Sequence, residues 1–228
     1  MIICPEFIFL HLHKSGGTFA NQLLLKCVPG AHRAGYHLPY AELPAAFRHL
    51  PVAGTVRNPW DYYVSWYFFQ RQQERPNALF LVCSDKGALD FDGTIRNLVT
   101  LHENESRIKA LEAAFPREFM QHGLNLTSRC IAHIRGSGLG FYSFLYRRLY
   151  ADAASPRIIP TECLRDGLRA LLADLATQAG PLATLFLDQA PPLNTSRHGP
   201  FRDYYSPSLR DLVGQHEQTV IQAHDYRF

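Results

Sequence analysis

The sequence has few cysteines and no long hydrophobic run, and both scarcities narrow the classes of protein it can belong to. The five cysteines are odd in number, and no two of them form a C-x-x-C pair. They predict reduced thiols in a cytosol-like compartment, not a disulfide framework. No apolar run approaches the length of a membrane-spanning helix, and no secretory signal is visible. These absences predict a cytoplasmic protein without a transmembrane segment.

Charge of either sign is also limited. The 23 lysines and arginines exceed the 20 acidic residues by only three, and they form no dense basic stripe. This pattern predicts no nucleic-acid partner, although it suits a small anionic ligand. None of the 11 histidines falls in an H-E-x-x-H or similar spacing, so no metal site is expected. With 228 residues, 46% of them hydrophobic, the chain is expected to form one domain covering residues 1–228.

Short apolar segments alternate with helix-like segments along the chain. The expected elements are a buried strand over 2–12, a helix over 19–27, a strand over 52–56, a helix over 59–73, a strand over 157–162 and a helix over 164–178. Alternation of this kind predicts an α/β fold with a central parallel sheet flanked by helices. Between the second and third strands, residues 79–92 show no clear period and are expected to be a mobile loop.

The first strand leads into a glycine-bearing turn at residues 13–18, HKSGGT, and a helix follows. A turn in this position directs backbone N–H groups and the positive end of the helix dipole toward one point. Gly16 and Gly17 allow a close approach of the backbone, Lys14 adds a positive charge, and Ser15 and Thr18 add hydroxyl donors. The turn therefore predicts a ligand that bears a phosphate or sulfate group.

Two common nucleotide motifs do not describe this turn. Lys14 precedes both glycines, whereas the lysine of a Walker A loop follows the last glycine. The turn also lacks the G-x-G-x-x-G spacing of a dinucleotide-binding fold. An ordinary strand-to-helix turn with a surface lysine is the alternative interpretation.

A second cluster of candidate residues follows the 52–56 strand. Arg57 stands at the end of that strand, Pro59 opens the next helix, and Ser65 lies eight residues after Arg57, about two helical turns on. Both side chains are expected at the carboxyl edge of the sheet, where α/β folds bind nucleotides. A guanidinium and a hydroxyl suit a terminal phosphate. The alternative is a surface ion pair for Arg57 and a packing role for Ser65.

Together the two clusters resemble sulfotransferases that use 3′-phosphoadenosine 5′-phosphosulfate (PAPS), in particular the bacterial and carbohydrate-type members. The lysine-glycine turn is similar to the family's 5′-phosphosulfate loop. Arg57, Pro59, Ser65 and Tyr67 are similar to its 3′-phosphate motif, although Tyr62 stands where many members carry another arginine. The resemblance implies a single-domain fold like that of the P-loop nucleotide kinases. The C-terminal Arg-Lys-Gly signature of the cytosolic phenol and steroid enzymes is absent. Arg197 and His198 are the nearest cationic substitutes, and Arg197 is the one expected to bind the nucleotide.

The segment 36–39, YHLP, resembles the His-Leu-Pro of cytosolic sulfotransferases, in which the histidine is the catalytic base. The resemblance implies that His37 removes the acceptor's proton, and an imidazole suits that role near neutral pH. His11, His13 and Glu162 are the rival candidates. The alternative for His37 is a histidine in a surface loop.

The resemblance implies an enzyme that moves the sulfuryl group of PAPS to a hydroxyl or amine by in-line displacement, with no metal. Lys14 would be catalytic and would also bind the cofactor. The expected acceptor is a small molecule or a glycan, with carbohydrates and polar natural products as the favoured classes. Residues from about 76 to 150 would form a variable helical region on the acceptor side. Two alternatives stay open: a nucleotide or small-molecule kinase of related fold, and a non-catalytic nucleotide-binding module. The sequence leaves the oligomeric state open.

Overall fold

A computed structural model describes residues 1–120, 123–176, 178–193 and 196–228. By their internal contacts the residues fall into two units. The first comprises Met1–Arg57, Met120–Asn125 and Arg147–Asn194, and the second comprises Asn58–Phe119, Leu126–Tyr146 and Thr195–Phe228. Contact units need not fold independently, so the expectation of one domain stays a prediction.

The first unit contains a five-stranded sheet in the order β3-β1-β2-β4-β5. The strands are β1 (Ile2–Ile3), β2 (Ile8–His11), β3 (His32–Arg33), β4 (Val52–Val56) and β5 (Arg157–Pro160). β2, β4 and β5 run parallel, whereas β1 pairs antiparallel with both β2 and β3. The predicted α/β class is therefore confirmed, and the sheet is parallel over its three sequence-predicted strand positions.

The helices occupy much of the remaining chain. In chain order they are α1 (Gly17–Cys27), α2 (Pro59–Arg71), α3 (Ala78–Cys83), α4 (Phe91–Val99), α5 (Glu105–Ala114), α6 (Ser128–Ala132), α7 (Phe141–Tyr150), α8 (Leu164–Leu175), α9 (Gly180–Gln189), α10 (Pro207–His216) and α11 (Gln218–His224). α1, α8 and α9 belong to the first unit. The described residues of the second unit contain helices and loops and no strand.

The prediction of a single strand over residues 2–12 is wrong. The chain reverses between β1 and β2, where the Cys4 N–H donates to the Phe7 carbonyl at 2.9 Å, and Ile3 then faces Ile8 in an antiparallel pair. Pro5 lies inside this turn and has no N–H to give to a sheet ladder. The apolar run looked continuous because both short strands are buried.

Helices pack on one face of the sheet, and Tyr150 forms hydrogen bonds to two strands from the other face. On the first face, side chains of α1, α8 and α9 join Phe9, Ala53 and Ile159 in one buried cluster. On the second face, the Tyr150 hydroxyl donates to the carbonyl of Thr55 at 2.8 Å, with the carbonyl of Leu10 at 3.3 Å. These contacts hold the carboxyl ends of β2 and β4 in place, and the turn predicted to bind an anion follows β2.

The second unit contradicts the mobile loop expected over residues 79–92. α3 begins after Asn77, whose side chain accepts from the Phe80 N–H at 2.9 Å, and α4 begins after Asp90, which accepts from the Gly93 N–H at 2.9 Å. Asparagine and aspartate are favoured at this position. α3 has only six residues, too few to show a helical period in the sequence.

A buried carboxylate also stabilises the second unit. Glu217 is fully buried and accepts hydrogen bonds from the Tyr63 hydroxyl and from the N–H groups of Tyr142 and Ser143, at 3.2 and 2.6 Å for the two N–H groups. The two N–H groups belong to the first turn of α7, where a helix favours a negative charge. Burial raises the pKa of Glu217, while these hydrogen bonds oppose the rise. Glu217 thus serves as the cap of α7 from a distant point in the sequence.

Replacing this carboxylate is expected to destabilise the protein strongly. Glu217→Ala removes the acceptor of the Tyr63 hydroxyl and of the Ser143 N–H, and it leaves the Tyr142 N–H only the Tyr63 oxygen at 3.3 Å. We expect the free energy of unfolding to fall by about 3 kcal/mol or more. Urea denaturation of the variant measures the loss, and Glu74→Ala, an exposed site, is the matched control. A Glu217→Ala variant as stable as Glu74→Ala would show that the cap contributes nothing.

Candidate functional site

The strand-to-helix turn of the first unit has an unusual backbone. β2 ends at His11, Lys14 has a φ of 57°, and Gly16 has a φ of 76° immediately before α1. Gly16 is the N-cap residue, and no side chain of this residue caps the helix. Gly16 therefore offers no side-chain oxygen of the kind that a serine or aspartate cap supplies to a helix start, and helix starts are positions where anions can bind.

The two glycines are required for different reasons. Gly16 has the left-handed conformation, which glycine adopts without strain. Gly17 is buried, and a Cβ at this position would lie 2.0 Å from Cδ2 of His11. The sequence suggested that both glycines make room for a ligand. Gly17 also makes room for the His11 imidazole, which packs against the start of α1.

The two hydroxyl residues of the turn differ in exposure. Ser15 is fully buried, and its Oγ donates to the Leu12 carbonyl at 2.7 Å. Because that proton is engaged, the Thr55 hydroxyl, 2.8 Å away, donates to Ser15. Ser15 therefore ties the turn to the end of β4 through its side chain, while Thr18 lies half-buried in the first turn of α1. Thr55 carried no signal in the sequence because it is 40 residues away.

Two cationic residues meet at the carboxyl ends of β2 and β4. Arg57 directly follows β4, and its Nη1 donates to the Lys14 carbonyl at 3.2 Å. Burial lowers the pKa of Lys14 to about 8, and the positive charge of Arg57 contributes to this shift. A nearby cation makes Lys14 harder to protonate, and a bound anion would have the opposite effect.

His37 lies beside the turn in a cluster of imidazoles. Its ring centroid is 4.4 Å from that of His11 and 5.5 Å from that of His13. His37 Nδ1 lies 3.0 Å from the His11 carbonyl, and a carbonyl only accepts, so the proton is on Nδ1 and the lone pair of the neutral ring is on Nε2. Burial is the main cause that lowers the pKa of His37 to about 4. The ring is therefore neutral at pH 7.

The rival candidates for the base occupy different environments. Burial lowers the pKa of both His11 and His13 well below the usual value, and His37 adds to each shift. His11 is 2% exposed and lies within β2, whereas His13 is half-buried beside Lys14. Glu162 is exposed in the turn after β5. Among these groups, His37 combines partial exposure with a defined lone pair.

Two other predicted residues, Ser65 and Arg197, belong to the second unit. The Ser65 and Ser196 hydroxyl oxygens are 3.0 Å apart, and the Gln72 side chain donates to the Arg197 carbonyl at 3.0 Å. Residues 196 and 197 are thereby fixed along α2, which carries Ser65, and the Arg197 side chain is exposed. That these two residues share a ligand with Arg57 stays a prediction.

Comparison with protein-family models and with curated proteins found no relative. No protein-family model matches the chain, and no curated protein matches it at a significant level. Within the described ranges, no three histidine, cysteine or acidic residues are grouped so that they could hold a metal ion. Over the same ranges, no helix is both long enough and apolar enough to cross a membrane.

Proposed function

We propose that the protein is a sulfotransferase that moves the sulfuryl group of PAPS to a hydroxyl or amine of a small-molecule or glycan acceptor. One observation carries the proposal: the cationic turn of Lys14 and Arg57 opens α1 beside a neutral imidazole whose lone pair is on Nε2. Anion binding and proton removal are the two tasks of sulfuryl transfer. The parallel strands β2, β4 and β5 agree with the finer proposal of a fold like that of the P-loop nucleotide kinases.

The residues of the turn fit the 5′-phosphosulfate end of this nucleotide. The N–H groups of Gly16, Gly17 and Thr18 open a helix that carries no side-chain cap from its N-cap residue, and a phosphate suits that position. Ser15 contributes to phosphate binding through its backbone, because its hydroxyl is already hydrogen-bonded to the Leu12 carbonyl and to Thr55. PAPS itself supplies an activated sulfuryl group whose leaving group is a phosphate.

In the proposed reaction the acceptor oxygen forms a bond to sulfur while the bond from sulfur to the bridging oxygen breaks. The electron pair of the broken bond stays on the 5′-phosphate of the product, 3′-phosphoadenosine 5′-phosphate (PAP). Lys14 and the start of α1 stabilise that growing charge, as in phosphoryl transfer. The acceptor's proton moves to Nε2 of His37, and the Nδ1–H bond to the His11 carbonyl holds the ring in that orientation.

The test is a screen of hydroxyl- and amine-bearing acceptors with [35S]PAPS. The proposal predicts labelled product from at least one acceptor class, with one PAP formed per label transferred. Turnover of ATP with magnesium in place of PAPS would support the kinase alternative. Tight binding of PAP with no transfer to any acceptor would support a non-catalytic module.

A further inference from the structure

A second pair of positive side chains lies around His37, in the same unit. Arg148, on α7, donates from Nη2 to the Asn125 carbonyl at 3.4 Å, and Asn125 donates from Nδ2 to the Tyr36 carbonyl at 2.5 Å. Arg148 is thus connected through one residue to the backbone immediately before His37. Residues 125 and 148 both lie in the segment that the sequence assigned to the acceptor side.

Arg33 contacts the side chain of Tyr36, the residue before His37. Its guanidinium carbon lies 4.8 Å from the centroid of the Tyr36 ring, a cation–π distance. The Tyr36 ring is in turn 5.7 Å from the ring of His37 and 5.9 Å from that of His11. Arg33 is exposed, whereas Tyr36, His37 and Arg148 are half-buried, so all four residues reach solvent.

Asn125 gives this arrangement its rigidity. The residue is 5% exposed and has a φ of 54°, a conformation that asparagine tolerates better than most residues. Its Oδ1 accepts from the Met120 N–H at 2.7 Å while its Nδ2 is bound to Tyr36, so both ends of the amide are used. The carbonyl that receives Arg148 is therefore fixed relative to His37.

In the free protein, the positive charges of these arginines lower the pKa values of nearby histidines. Burial is the main cause of the low pKa of His37 and of His11; the positive charge of Arg148 adds to the shift of His37, and that of Arg33 adds to the shift of His11. A nearby cation makes an imidazole harder to protonate, and therefore a weaker base. An anion bound between the arginines would cancel the charge of Arg148, and His37 would then be a stronger base.

We propose that the acceptor carries an oxyanion, such as a carboxylate, that Arg148 and Arg33 bind while the acceptor hydroxyl lies at His37. The inference rests on the proposed function, because it assigns the acceptor of that same reaction. A guanidinium recognises a carboxylate through two parallel hydrogen bonds, which suits this pairing. An acceptor with the anion strengthens the base as it binds, whereas a neutral analogue does not, so the site selects anionic acceptors.

The test uses two sugars that differ in one group. Methyl β-D-glucuronide carries a carboxylate where methyl β-D-glucoside carries a hydroxymethyl group. Each is titrated into protein with labelled histidine, and the His37 imidazole signal, assigned with His37→Ala, is followed by NMR. We expect a saturable shift and a raised His37 pKa with the glucuronide only. An equal response to both sugars, or no response to the glucuronide, would overturn the proposal.

Substitutions of the two arginines test whether they bind the glucuronide. Arg148→Gln and Arg33→Gln are each expected to weaken glucuronide binding about tenfold, the loss of one modest charge-assisted contact. Arg33 is exposed, so its variant tests the proposal even if Arg148→Gln folds poorly, and Arg147→Gln, at the exposed neighbouring position, should bind as the wild type does. Unchanged binding in Arg33→Gln and in a folded Arg148→Gln would refute the assignment.

A parallel titration with PAP separates this inference from the proposed function. A glucuronide response without PAP binding would contradict the sulfotransferase and leave the oxyanion site standing. PAP binding without a glucuronide response would contradict the oxyanion site and leave the proposed sulfotransferase standing.

Discussion

Lys14→Gln is expected to lower the rate of sulfuryl transfer by about 10²–10³-fold, the usual effect of removing one donor that stabilises transition-state charge. Glutamine keeps a polar side chain, shorter than that of lysine by one atom, but removes the charge that we propose faces the leaving phosphate. The measurement is the transfer rate from [35S]PAPS at saturating nucleotide. Lys26→Gln is the matched control, because Lys26 is exposed at the other end of α1.

The lysine also predicts a pH dependence for nucleotide binding. With a pKa of about 8 in the free protein, Lys14 is mostly charged at pH 7 and mostly neutral at pH 9. PAP affinity should therefore fall as the pH rises through about 8, because the protein must first take up a proton to bind. In Lys14→Gln that fall should disappear. If Lys14→Gln keeps the turnover and the pH profile of the wild type, Lys14 is not the charge at the leaving group.

His37→Ala is expected to lower turnover by about 10²–10⁴-fold while PAP affinity stays nearly unchanged. The two effects separate because the base acts on the acceptor and not on the nucleotide. Only the neutral ring accepts a proton, and burial holds its pKa near 4 in the free protein. The wild-type rate should thus fall as the pH drops toward the pKa of His37 in the acceptor complex, and that acidic limb should vanish in the variant.

His32→Ala is the control for this experiment, since His32 is an exposed histidine in β3 of the same unit. It should leave both turnover and the pH profile unchanged. If His37→Ala keeps wild-type turnover, the base is another group. His13, half-buried next to Lys14, then becomes the first candidate, ahead of the buried His11 and the exposed Glu162.

The sequence predicted the elements that depend on local signals. Pro59 indicated the start of α2, and in the structure the side chain of Asn58 before it accepts from the Trp60 N–H at 3.0 Å. β4 has the predicted bounds. The first strand was misjudged because a buried hairpin and a single buried strand are equally apolar, and only Pro5 marked the turn between β1 and β2.

The candidate site was predictable only in part, for a related reason. The strand, the lysine-glycine turn and the helix are consecutive, so their order is written in the sequence. The bond between Ser15 and Thr55 spans 40 residues, and that between Asn125 and Tyr36 spans 89. No spacing rule reports such pairs, so the sequence could show neither the internal role of the Ser15 hydroxyl nor the position of Arg148 beside His37.

Calorimetric titration of the wild-type protein with PAP, AMP and ATP-magnesium at pH 7 tests the central claim most directly. The account predicts that PAP binds at least tenfold more tightly than AMP. The 3′-phosphate adds a charge-assisted contact, which the sequence assigns to Arg57 and Ser65 with Arg197 as a further cation. Equal affinity for PAP and AMP, or tight binding of ATP-magnesium alone, would contradict the assignment of a PAPS-dependent sulfotransferase.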